Sequence, residues 1–67
     1  MHREYEIFEV LPNGSVRRAA IVCGLEFAKV TLHGRAKRTP NECFAADSRT
    51  RQVVAQLNVP LGEIASE

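Results

Sequence analysis

Leu11, Pro12, Asn13 and Gly14 separate two stretches that read as strands, and this turn signal commits the chain to begin with a β-hairpin. Proline presets φ at about −65° for the first turn position, asparagine suits the second, and Gly14 accepts the positive φ of a bulge that restores pairing. The turn also sets register, and a slip of one residue exchanges the two faces of a strand. It therefore governs whether Ile7 and Leu11, or Phe8 and Val10, meet a core.

On the near side of the turn, Tyr5 to Leu11 predicts the first strand, with Tyr5, Ile7, Phe8, Val10 and Leu11 interrupted by Glu6 and Glu9. On the far side, Val16 to Cys23 predicts the second, continuously small and apolar from Ala19 to Val22 and closed by Gly24. The period then changes. Leu25, Ala28, Leu32 and Ala36 recur at three or four residues and predict a helix from Leu25 to Arg38. Glu26 in its first turn and Arg35, Lys37 and Arg38 in its last complement the helix dipole, and Pro40 prevents continuation. The internal Gly34 weakens the helix by roughly 1 kcal/mol relative to alanine.

Asn41 to Ala46 predicts a third strand, Asp47 to Thr50 a second turn, and the segment from Arg51 a fourth strand. In that last strand Val53, Ala55, Leu57 and Val59 are the core-facing set, broken by Val54, and Pro60 ends it. Residues 61–67 read as a frayed tail. The order β-β-α-β-β specifies an α+β domain spanning residues 1–67, a four-stranded sheet with one helix on one face. Two strand orders suit it, one with the second and third strands adjacent and parallel at the centre, the other with the first and fourth central.

A chain of 67 residues buries only about 60% of the surface its unfolded form exposes, so the core is thin. Its 45% hydrophobic and 25% charged content is that of a folding sequence. A net charge of +1 gives no global bias toward nucleic acid or anionic membrane. No run approaches a membrane span and no apolar leader follows Met1, so a cytoplasmic location is expected.

Residues that carry chemistry are sparse. A helix of about 13 residues spans about 20 Å, so Cys23 and Cys43 at its two ends are too distant for a disulfide and are expected as buried, reduced thiols. His2, Cys23, His33 and Cys43 lack the paired spacing of a zinc site. His33 has no orienting partner in the sequence pattern, Glu4 and Glu6 suit a solvated edge, and Gly14, Gly24 and Gly34 are isolated rather than a phosphate loop. The reading is non-enzymatic, without metal or cofactor.

Surfaces are more informative. Ile7 with Phe8, Val10 with Leu11, Ile21 with Val22 and Val53 with Val54 put apolar groups on both sides of the sheet, whereas one helix covers only one side. Burial of the second face by a partner, most simply a second copy in a homodimer, is expected through Phe8, Val10, Ala20, Val22 and Val54. Phe27 and Val30 lie off the helix stripe and form a smaller apolar patch. The alternative function is nucleic-acid binding through Arg35, Lys37, Arg38, Arg49 and Arg51, opposed by Glu42, Asp47 and the lack of interleaved aromatics.

The stretches YEIFEVLPNG (Tyr5 to Gly14), GLEFA (Gly24 to Ala28), NECFA (Asn41 to Ala45) and RQVVAQLN (Arg51 to Asn58) resemble a group of short uncharacterised bacterial proteins. The likeness implies a compact α+β domain and no particular activity. This chain departs from the group's pattern at Arg17 or Arg18, where an aromatic residue is expected, and at Gly34, where alanine or leucine is expected.

Overall fold

The computed structural model describes residues 3–59; the expected tail at 61–67 lies outside the described residues. The elements are β1 (Glu4–Val10), β2 (Val16–Cys23), α1 (Leu25–Ala36), β3 (Cys43–Asp47) and β4 (Val53–Leu57). This is the β-β-α-β-β order expected, with α1 packed on a four-stranded sheet whose neighbouring strands are all antiparallel. The hairpin turn has the expected chemistry. The Gly14 amide donates to the Leu11 carbonyl and the Leu11 amide to the Ser15 carbonyl, both at 2.8 Å, and Gly14 takes φ 90. The Asn13 carboxamide oxygen accepts from the Ser15 amide at 3.0 Å and its hydroxyl at 2.7 Å, fastening the loop.

The strand order is β2-β1-β3-β4, which neither expected arrangement contains. β1 and β3 are central. The connection from β2 through α1 carries the chain past β1, so β3 pairs with β1's second edge and runs parallel to β2 without touching it. This satisfies both edges of β1, the strand richest in large side chains, and leaves β2 and β4 at the rims. Gly24, at φ 92, makes the corner into α1, and its amide donates to the Arg3 carbonyl at 2.8 Å.

The core lies between α1 and one sheet face, built from Tyr5 and Ile7, Ala28 and Leu32, and Cys43 and Ala45, with Ala20, Val22, Ala55 and Leu57 packed at its margin. Of the helical stripe, Ala28 and Leu32 are buried, whereas Leu25 stands 40% exposed. Small residues at 28 and 45 let the helix sit close to the sheet. Full burial of a side chain such as Ile7 or Leu32 is worth about 1.5–3 kcal/mol.

Two β-bulges reverse parts of the expected face assignment. Counting alternately from the Val10–Val16 pair puts Ala20 and Val22 beside Phe8, on the open face. The β1–β2 register shifts between Ile7 and Phe8, leaving Ala19 as an extra residue; Arg18 then faces Phe8, Ala20 faces Ile7 and Val22 faces Tyr5. Ala20 and Val22 therefore pack against the core. A second shift between Ala45 and Ala46 leaves Val54 as the extra residue and brings Val53 opposite Ala46. Val53, expected in the core, is 48% exposed on the open side, and the expected interface residue Val54 occupies the bulge. Phe8 and Val10, expected at the interface, lie on the open face, alternating with the buried Tyr5, Ile7 and Glu9.

Candidate interaction surfaces

The open face of the sheet is organised around Phe8 and Phe44, directly opposite one another on the two central strands. Their ring centroids are 5.1 Å apart with planes inclined by 24°. Such an offset stack suits the ring quadrupoles and adds about 0.5–1.5 kcal/mol beyond area burial. Ile21 on β2, Val53 on β4 and Val16 at the hairpin flank this pair, all roughly half exposed. Charge on the face is mixed. The Glu6 carboxylate accepts from Arg18 at 3.3 Å and lies 4.0 Å from the Arg51 guanidinium. Solvated pairs of this kind contribute about 0–1 kcal/mol, so they shape the surface more than they hold it together.

The helix-covered face carries a buried carboxylate at each end. Glu9 accepts from Asn41 at 2.8 Å, Thr39 at 2.9 Å, and the Arg35 guanidinium at 3.1 and 3.3 Å. These donors, led by Asn41 and Thr39, hold its pKa below the usual glutamate value against the opposing effect of burial. At the other end, Asp47 accepts from the backbone amides of Arg49 at 2.8 Å and Thr50 at 3.2 Å, and from Arg3 at 2.6 Å. The Arg49 amide comes first and Arg3 second in lowering its pKa. Both sites are fold staples, since every donor belongs to a neighbouring segment of the same domain. A third staple is Asn58, whose side-chain amide donates to the carbonyls of Ala36, Thr39 and Asn41 at 3.0–3.1 Å.

The sequence pattern did contain a signal for Glu9. It follows Tyr5 and Ile7 at a period of two, so strict alternation places its carboxylate on the core side. Asn58 carries no such signal: its three acceptors lie 17 to 22 residues away and meet only in the fold. Asn41 and Asn58 both serve architecture.

The five basic residues of the nucleic-acid alternative do not form one patch. β3 runs from Cys43, opposite Glu9, to Asp47, opposite Tyr5. Arg35, Lys37 and Arg38 follow the helix to the Glu9 end, whereas Arg49 and Arg51 sit in the β3–β4 turn at the other. Four residue steps of strand, about 13 Å, separate the groups. Arg35 is also committed to Glu9, and Arg51 lies beside Glu6.

The cysteines also occupy opposite ends and opposite faces, Cys23 across from Glu4 and Cys43 across from Glu9. Both are free thiols. Cys43 is buried as expected, and burial, reinforced by the Glu9 charge, raises its pKa. Cys23 is exposed, contrary to expectation, because the Ala19 bulge turns the end of β2 so that Ile21 and Cys23 share the open side. Among the described residues, no three His, Cys, Asp or Glu side chains converge in a metal-binding arrangement, and no helix is long and apolar enough to cross a membrane. No protein-family model, curated protein or solved structure matches the chain.

Proposed function

We propose that this domain is a protein-interaction module that self-associates through the open face of its sheet. The observation that carries this reading is the Phe8–Phe44 stack on the central strands, bordered by exposed Ile21, Val53 and Val16. The helix already covers the other face, and the open one leaves a broad apolar surface that association can dry. A two-fold interface requires a patch complementary to its own copy. With Glu6 between Arg18 and Arg51, the face carries both signs, and a rotated copy can set carboxylate against guanidinium around an apolar centre.

A face this small belongs with weak interfaces burying less than about 1,200 Å² in total, so association is expected at high micromolar concentration. Sedimentation equilibrium should show a monomer–dimer equilibrium there, and Phe44→Asp should leave a folded monomer. A wild-type monomer throughout that range would refute self-association.

A further inference from the structure

A second surface lies on the helix side of the sheet, where α1 and the edge strand β4 enclose a groove of about 670 Å³. Leu32, Ala55 and Leu57 form its apolar floor, Val30 and Gly34 part of its helical wall. Lys29, His33 and Lys37 complete the lining. These three recur at four-residue intervals and are all exposed, which aligns them along one side of the helix.

Lys29 and Lys37 bring two positive charges to this wall without acidic partners among the described residues, as Arg17, Arg38 and Arg49 do at other exposed positions. Arg3, Arg18, Arg35 and Arg51 each face a carboxylate of the same domain, whereas among the described residues no carboxylate lies within ion-pair distance of Lys29, His33 or Lys37. No carboxylate appears among the described residues lining the groove. Among the described residues β4 pairs only with β3, so its outer edge offers backbone groups to another strand.

We propose that this groove binds an extended acidic–apolar peptide segment of a partner protein, added as a fifth strand along β4. Backbone bonds to the β4 edge supply affinity and alternate side chains supply specificity, as in other strand-addition interfaces. Spacing defines the sequence read. Lys29 and Lys37 are eight residues apart, about 12 Å along the helix, which matches the roughly 13 Å between strand residues i and i+4 on one face. The preferred segment therefore carries glutamate or aspartate at i and i+4 for the two lysines and a leucine-like residue at i+2 for the floor. Self-association uses the opposite side of the sheet, so failure of either proposal leaves the other standing.

The test uses a labelled seven-residue peptide, threonine-glutamate-threonine-leucine-threonine-glutamate-threonine with blocked ends, and its counterpart with lysine replacing glutamate. NMR titration of the full chain should perturb backbone amides of residues 53–57 and helix resonances around 29–37 with the acidic peptide. The paired substitution Lys29→Glu with Lys37→Glu, both at exposed positions, should weaken acidic-peptide binding at least tenfold and reverse the preference toward the lysine peptide. Far-UV circular dichroism verifies that the variant is folded. Absence of saturable binding at millimolar peptide would overturn the proposal, as would equal affinity for both peptides or shifts confined to the Phe8–Phe44 face.

Discussion

The two faces of this sheet draw on the same four strands and spend their apolar residues differently. On the helix side, Ile7, Ala45 and Cys43 are fully buried, and the charged groups at its ends are enclosed by donors from α1, its following loop and the β3–β4 turn. On the open side, Phe8 and Phe44 shield one another, while Ile21 and Val53 remain half exposed and the ion pairs are solvated. Stability thus resides mainly on one face, and the other can change with little cost to folding.

Neighbouring residues of β1 offer the sharpest way to break this distinction. Ile7→Ala, on the helix side, should lower unfolding free energy by about 2–5 kcal/mol. Phe8→Ala, one residue on and facing the other way, should cost only about 1–2 kcal/mol, from lost stacking and partial burial. Urea denaturation of both variants measures the difference, and equal losses would make the open face a second core.

An intermediate effect is expected at the end of β4. Asn58→Ala removes one side-chain amide from three carbonyls and leaves alanine at φ 60, for a loss of about 1–3 kcal/mol. Asn58→Gly, which keeps the backbone conformation easy but lacks the amide, separates the two causes. If glycine restores full stability, the carbonyl staple contributes nothing.

The buried carboxylates sharpen the contrast through pH. Both have folded-state pKa values below their unfolded ones, so their stabilisation is complete above the unfolded values near pH 4 and is lost as pH falls through the folded values. Glu9 gathers side chains from α1 and the loop before β3, whereas Asp47 is served chiefly by its own turn. Glu9→Gln should therefore lower the neutral-pH urea midpoint more than Asp47→Asn, and each should flatten the acid limb between pH 5 and 2. An unchanged limb in both variants would assign acid sensitivity to other groups.

At the surface proposed for association, folding and assembly should separate. Phe44→Asp should shift the monomer's urea midpoint less than Ile7→Ala does while removing the dimer from sedimentation profiles. A variant that unfolds outright would show that the aromatic stack holds the sheet together.

Local sequence suffices for the element order, the Leu11–Gly14 turn, both ends of β2 and the start of α1. Each rests on residues close in sequence: a proline and a positive-φ glycine in the turn, a change of apolar period, and glycine at the corner where φ is 92. It also puts Phe8 and Val10 on one side of β1 and Ile7 on the other, because side chains alternate along a strand. Tertiary structure decided the strand order, the two bulges and the side of the sheet on which Ala20, Val22 and Val53 fall. An inserted residue alters alternation without changing composition, and whether it is accommodated depends on cross-strand neighbours and on what the helix presses against. Glu9 shows the same division: its side of the strand follows from a period of two, whereas the donors that make burial tolerable come from 26 to 32 residues away and converge only when the chain folds.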